Sequence, residues 1–408
     1  MKRVVITGMG AISPNGNGLE NFVNNTLAGK VGIKEISKFD ASKTGITVAG
    51  EIDDYDKEAY VGKKNARRID LYTQYALQTA SEAMEMAGVN EENTTPEDLG
   101  VIFGSGIGGL TTIQDQVIRM HDKGPRRVSP LFIPMAIANM AAGNISIRFN
   151  AKNISTSIVT ACVSGTNSIG EAYRQIKEGR AKVMIAGGSE ATVNETAISG
   201  FAALTALSQA TDPMKASLPF DQDRDGFVLG EGAGAMALES LEHAQKRGAK
   251  ILGEIVGYGA TSDAYHITSP DPDGEGAARA MALAIEEAGV TSDQVGYINA
   301  HGTSTHANDS GESKAINQFF GKNSQVKVSS TKGMTGHLLG AAGAIEAVIT
   351  VAKGEFPANI GCFKQDPECQ VDLVKQGNQK ISTNYALSNS FGFGGHNAVL
   401  AFKKWSEE

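Results

Sequence analysis

Short apolar runs alternate along the chain with longer segments whose apolar positions return every three or four residues. Leu99–Phe103, Lys182–Ala186, Val295–Ala300 and Val326–Ser330 read as buried strands. Arg68–Gly88, Ser164–Gly179, Glu275–Gly289 and His337–Gly354 carry the helical period. Strands that alternate with helices predict an α/β fold with largely parallel sheets covered on both faces.

The pattern repeats in order. Ala87-Gly88-Val89 and Ala288-Gly289-Val290 each close a helix before a strand, and those strands run into Gly104-Ser105-Gly106 and Ala300-His301-Gly302. Ser164–Gly179 aligns without gaps to Leu339–Gly354, pairing Gly165, Glu171, Ala172 and Gly179 with Gly340, Glu346, Ala347 and Gly354. The same offset sets Cys162 opposite His337. A duplicated chain divided near residue 250, into 1–250 and 251–408, would bury one sheet of each half against the other. Equivalent helix starts would then face a common centre about a pseudo-twofold axis, and Cys162 and His337 would meet there.

The 408 residues leave room for one large domain or two ordinary ones. With 41% hydrophobic and 20% charged residues, wholesale disorder is excluded. The 48 glycines have no three-residue period, which excludes collagen and implies tight turns and backbone packed on backbone. A balance of 37 basic and 45 acidic residues gives a formal charge of −8, so a global basic footprint for nucleic acid is absent. Three cysteines (Cys162, Cys362 and Cys369) are too few for a disulfide framework and fit a reducing compartment. No stretch approaches the ~18 apolar residues of a spanning helix. The opening Lys2-Arg3-Val4-Val5-Ile6 is broken at Gly8, Gly10 and Pro14, and reads as a strand entering a glycine turn, not a signal peptide. A soluble cytoplasmic protein without a membrane segment is expected.

Cys162 follows the extended run Ile154–Thr160 and precedes a helical one, in the elbow Thr160-Ala161-Cys162-Val163-Ser164-Gly165. At a helix N-terminus the exposed N–H groups and the dipole favour a thiolate, the nucleophilic form. His301 ends a strand, and His337 follows the glycine-flexed segment Thr331–Gly336, the places where α/β loops gather ligands. Cys362 and Cys369 lie in a polar loop and read as bystanders. Gly104-Ser105-Gly106-Ile107-Gly108-Gly109 fits G-x-G-x-x-G but lacks the acidic residue about 20 positions on that a dinucleotide site needs. Asp221–Gly226 begins like a calcium loop, yet position twelve is Gly232, so it reads as a turn held by carboxylate hydrogen bonds. No Cys/His spacing suits zinc, and no metal is expected in the chemistry.

Five motifs stand in order along the chain: Thr160-Ala161-Cys162, Asp225–Gly232, His301–Thr305, Lys332–His337 and Asn389–Gly395. Together they resemble the β-ketoacyl-acyl-carrier-protein synthases, most of all the elongating type II group of bacterial fatty-acid synthesis, over essentially the whole chain. The resemblance implies a thiolase-like duplicated layered fold (α-β-α-β-α) and a homodimer. It implies that Cys162 takes an acyl group from a carrier's 4'-phosphopantetheine thioester, and that decarboxylation of malonyl-carrier supplies the enolate that attacks it. On the same resemblance His301 and His337 donate to the malonyl thioester oxygen, and Lys332 holds the electrostatics around His337, paired with Glu346. The backbone N–H groups of Cys162 and Phe393 form the oxyanion hole, and Thr303 and Thr305 bind the pantetheine arm. Phe393 gates the acyl pocket beside Phe201, with Ile107 at the pocket's mouth. The partner is acyl carrier protein, and no bound cofactor or metal is implied.

The carrier is acidic and this chain is net negative, so docking needs a local basic patch. Lys63, Lys64, Arg67 and Arg68, with Arg126 and Arg127, are the candidates. Thr205 stands where relatives often carry a docking arginine, and His306 and His396 replace a frequent proline and threonine. A coenzyme-A-dependent thiolase would carry a second cysteine in the last glycine-rich segment, where this chain has Phe391, Phe393 and His396. A non-catalytic chain-length partner would lack the nucleophile, and an initiating enzyme would carry asparagine in place of His337. A polyketide-type ketosynthase of the same fold stays open as the alternative, beside the thiolase.

Overall fold

The computed structural model describes residues 1–406 apart from Asn323 and Asn378. The first half contributes strands β1 (Val4–Ser13), β2 (Leu99–Gly104), β3 (Ser155–Thr156), β4 (Val183–Glu190) and β5 (Gly232–Ser240). The second contributes β6 (Gly253–Ser262), β7 (Val295–Asn299), β8 (Lys327–Ser329), β9 (Asp372–Leu373), β10 (Tyr385–Gly392) and β11 (His396–Lys404). Their order across the sheet is β9-β8-β7-β10-β11-β6-β1-β5-β4-β2-β3. Read outward from the middle, β1-β5-β4-β2-β3 mirrors β6-β11-β10-β7-β8, the duplication that the repeat predicts. The two half-sheets are stitched at one end, where Val4–Ile6 of β1 pairs antiparallel with Gly253–Ile255 of β6.

Two expectations need correction. The sheets are mixed rather than largely parallel: β2 runs parallel to β3 and β4, but β5 runs antiparallel to both β1 and β4. The half-sheets also do not bury one another directly. Helices α3 (Ser164–Lys177) and α6 (Ala342–Val351) lie between them, packed on each other and on strands of both halves. Helix α1 (Leu71–Ala87) covers the outer face of the first half-sheet and α4 (Glu275–Ala288) that of the second, with α2 (Met140–Arg148) and α5 (His306–Phe320) beside them. The result is the expected five-layer α-β-α-β-α stack.

Three hydrophobic cores correspond to the three helix layers. Strand β5 shows why both its faces must be apolar: Met236 and Leu238 enter the central core, while Ala233, Ala235 and Ala237 enter the outer core under α1. The outer helices dock on glycines of the first strand in each half. A Cβ on Gly8 would lie 1.9 Å from the Ala83 carbonyl oxygen of α1, and one on Gly257 would lie 2.0 Å from that of Ala284 in α4. Only glycine admits that approach. Among the described residues no helix is long and apolar enough to cross a membrane.

Candidate active site

The central helices start side by side. Cys162 sits in the 3₁₀ turn Ala161–Val163 that feeds α3, one turn earlier than a position inside the helix. Ala161 is held at φ 52°, and the Ser164 hydroxyl locks the turn by donating to the Ala161 carbonyl at 2.7 Å and accepting from the Thr160 N–H at 3.0 Å. On the other half, His337 precedes the 3₁₀ turn Leu339–Ala341 that feeds α6, and its backbone is clamped to the Val228 carbonyl (2.7 Å) and the Gly230 N–H (2.9 Å). His301 follows β7, and the N–H groups of His301 and Gly302 donate to the Glu312 carboxylate at 2.9 and 2.8 Å.

Cys162, His301 and His337 line one cavity of about 440 Å³. The imidazole rings lie 5.2 Å apart, nearly perpendicular; Phe227 packs edge-on to His337 and Phe391 to His301. Thr303 and Thr305, whose hydroxyls share a 2.9 Å hydrogen bond, line the same cavity, as do Phe201 and Phe393 with ring centres 6.4 Å apart.

Burial dominates the electrostatics. Both histidines are almost wholly enclosed, and burial holds each imidazole well below its ordinary pKa, with Lys332 pushing the same way. Both are therefore neutral near pH 7. Lys332 and Glu346, each 1% exposed, form an ion pair at 2.5 Å, and the Lys332 Nζ also lies 3.4 Å from His301 Nδ1. An ammonium has only hydrogens to offer, so Nδ1 accepts and the ring proton is assigned to Nε2. For Cys162 the expected thiolate bias is overridden: burial pushes the thiol up to about 12, although Lys332 and the N–H groups of Phe393 and Cys162 itself favour the anion. The intervening 3₁₀ turn and the enclosed site outweigh the helix end.

Ile107 lies apart from the cavity lining. Its N–H donates to Glu190 at 3.2 Å and its side chain is 37% exposed, because the loop backbone turns inward to that carboxylate. Two N–H groups of the Gly104–Gly109 loop, those of Gly106 and Ile107, are thus taken by the Glu190 carboxylate, and those of Gly108 and Gly109 by the Ser105 hydroxyl and the Ala136 carbonyl. Lys63, Lys64, Arg67 and Arg68 are exposed on and after the helical turn Gly62–Asn65, and Arg126 and Arg127 are exposed too. The Asp221 carboxylate accepts N–H groups from Asp223, Phe363 and Lys364, the hydrogen-bonded turn that the sequence suggested. Cys362 and Cys369 are free thiols away from the cavity. Glu190 and Glu312, with Asn389 donating to Glu312 at 3.2 Å, support the site from behind; Asn389 opens the last of the five motifs, whereas neither glutamate falls within one.

A beta-ketoacyl synthase N-terminal domain model matches residues 1–244 and the C-terminal domain model matches residues 252–361. The chain is 50% identical over 408 residues to a 3-oxoacyl-[acyl-carrier-protein] synthase 2 of Staphylococcus aureus, covering 99% of both chains. It is 49% identical to the protein of that name in Synechocystis, covering 99% of this chain and 98% of the relative. Among solved structures, a beta-ketoacyl synthase from Burkholderia phymatum superposes with a TM-score of 0.92 at 33% identity, covering all of both chains. A ketosynthase described in complex with its type II polyketide acyl-carrier protein superposes at 0.91 and 32% identity, covering 99% of this chain and 100% of that one. The chain belongs to the beta-ketoacyl synthase family.

Proposed function

We propose that the chain condenses an acyl group with malonyl-carrier, giving 3-oxoacyl-carrier, carbon dioxide and free acyl carrier protein in fatty-acid elongation. The observation that carries this reading is one enclosed cavity holding a thiol and two neutral imidazoles. The 50% identity to fatty-acid relatives against 32% to the polyketide ketosynthase favours the former pathway. Residues 1–250 supply the nucleophile and residues 251–408 the two histidines.

In the first half-reaction the Cys162 sulfur attacks the acyl thioester carbonyl, the bond to the pantetheine sulfur breaks, and the carrier leaves as a thiol with the proton that Cys162 gives up. The N–H groups of Cys162 and Phe393, which already face the sulfur, hold the oxyanion. In the second, the bond between malonyl C2 and its carboxyl carbon breaks, and the electron pair moves to the thioester oxygen as an enolate. Neutral His301 and His337 donate to that oxygen. A donor that is uncharged at rest needs no counter-ion, and the dry site strengthens each bond. The enolate carbon then attacks the acyl thioester, and the tetrahedral oxyanion collapses with Cys162 leaving as a thiolate, which takes up one proton from solvent to restore the thiol. Lys332 fixes the His301 tautomer, and Glu346 balances its charge. Thr303 and Thr305 receive the 4'-phosphopantetheine arm borne by the carrier, and Phe393 with Phe201 closes the acyl side.

The exposed Lys63, Lys64, Arg67 and Arg68 suit an acidic carrier surface. A second copy fits the far edge of the sheet. Ser155 and Thr156 of β3 are exposed with no strand beyond them among the described residues, and Ile137, Ile147, Ile154 and Val159 nearby are 42%, 80%, 39% and 55% exposed. Hydrogen bonds from Ser157 to Ala138 and between Ser146 and Ser155 gather these segments into one patch, of the kind that pairs edge to edge. Three unpaired thiols fit a reducing, cytoplasmic setting.

Mass spectrometry after mixing the protein with acyl- and malonyl-carriers is expected to show a product two carbons longer, lost in Cys162→Ala. His337→Ala should slow malonyl decarboxylation more than acyl transfer, whereas turnover surviving in Cys162→Ala would refute the nucleophile. Lys332→Met leaves Glu346 buried without a partner; a loss of about 3–5 kcal/mol in stability is expected, read by urea unfolding, and an unchanged midpoint would contradict the network. Reversing Lys63, Lys64, Arg67 and Arg68 to glutamate should raise KM for acyl-carrier about tenfold and leave a small pantetheine thioester unaffected; equal effects on both would reject the docking patch. Light scattering at micromolar concentration should give twice the chain mass, and a monomer would reject the edge pairing.

A further inference from the structure

Beneath the cavity the two halves meet through bare backbone. A Cβ on Gly340 would lie 2.2 Å from the Gly106 nitrogen, and one on Gly188 would lie 2.3 Å from the Gly340 carbonyl oxygen. Into this seam the last residue of β4, Glu190, projects a carboxylate with no exposure to solvent. One oxygen accepts the N–H groups of Gly106 at 2.7 Å and Gly340 at 3.0 Å; the other accepts the Ile107 N–H at 3.2 Å and the Ser105 hydroxyl at 3.1 Å. Four donors match the acceptor sites of an ionised carboxylate, so a proton can be taken up only at the expense of one of these bonds.

The donors belong to the two poles of the reaction. The Ser105–Ile107 segment lies against the turn of the nucleophile: a Cβ on Gly106 would be 3.5 Å from the carbonyl oxygen of Ala161, the residue before Cys162. Gly340 stands three residues after His337, in the turn that opens α6. We propose that Glu190 is a positioning residue for the condensation: its anionic carboxylate pins the Cys162 turn of one half to the His337 helix start of the other. That pin fixes how the acylated sulfur faces the imidazole that holds the enolate. The inference rests on the roles proposed above for Cys162 and His337, and Glu190 itself touches no reacting atom.

A carboxylate in this place leaves an electrostatic mark that a neutral clip would not. After burial, the Cys162 thiol feels Lys332, which lowers its pKa, and Glu190, which raises it. The titratable groups facing Glu190 are Cys162, from the turn before α3, and Tyr72, from α1. Burial holds the Tyr72 phenol up at about 12, so both are uncharged near pH 7. Burial also brings the Glu190 carboxyl up to about 7 against its hydrogen bonds. The clip therefore loosens as pH falls below neutrality.

Glu190→Gln in the full chain tests the proposal, because it removes the charge and turns an amide NH₂ against N–H donors. Condensation should fall at least about thirtyfold, since misplacement by about 1 Å costs up to about a hundredfold, and it should fall about tenfold more than acyl transfer to Cys162. Iodoacetamide alkylation of Cys162, followed by mass spectrometry without substrate, should shift to lower pH. Equal losses in both half-reactions with an unmoved alkylation profile would overturn the proposal and leave Glu190 a structural residue. If that variant does not fold, Ser105→Ala removes one donor and keeps the charge. It should weaken condensation more than acyl transfer and move the acid limb of the condensation rate to higher pH; no change in either would also overturn it. A shifted alkylation profile in Glu190→Gln, with no condensed product even from the unaltered protein, would support the coupling and overturn the reaction assigned above.

Discussion

The close contact between the first turns of the two central helices is the constraint on which the site depends. A Cβ on Gly165 would lie 2.9 Å from both the Gly340 carbonyl oxygen and the Ala344 nitrogen, so the helices can touch only where side chains are missing. Gly165 and Gly340 are equivalent positions of the repeat, each meeting the other's half. Because Cys162 and His337 stand three residues before them, the contact that joins the halves also brings the thiol and the imidazole to one cavity.

Behind the cavity, buried charge does what solvent does at the surface. Lys332 pairs with one carboxylate oxygen of Glu346 in the interior, and Lys332 also reaches His301. Glu312 anchors the backbone of the His301 turn, and Asn389 binds Glu312 in turn. A half-made network of this kind would cost several kcal/mol. Burial, with the Lys332 charge beside it, keeps both imidazoles neutral, and the Lys332 contact orients the His301 ring. The result is a pair of donors suited to an oxygen that gains charge only during the reaction.

Much of this was legible in the sequence. The periods locate α3 and α4 to within two residues, and the constant offset between Ser164–Gly179 and Leu339–Gly354 sets Cys162 opposite His337. Other features were hidden for physical reasons. His337–Gly354 reads as one helix, but the chain turns at Leu339, held at φ 46°, before α6 begins at Ala342. Strand β5, Gly232–Ser240, is rich in glycine and alanine because α1 presses on one face and α6 on the other, so it lacks the β-branched residues that mark a strand. Strand direction leaves no periodic trace, which is why the mixed sheet escaped. Glu190 and Glu312 look like ordinary charges in sequence; only the fold shows backbone N–H groups converging on them. Ile107 was placed by resemblance, and its loop turned out to face Glu190.

The account stands on an acyl group moving from carrier to Cys162 and from there to carbon. Incubating the protein with acyl-carrier alone, digesting it and weighing the peptides tests that movement directly. The acyl mass should appear on the peptide that carries Cys162, and adding malonyl-carrier should clear it into a 3-oxoacyl product two carbons longer. An acyl group found on another residue, or released as the free acid when malonyl-carrier arrives, would contradict the account.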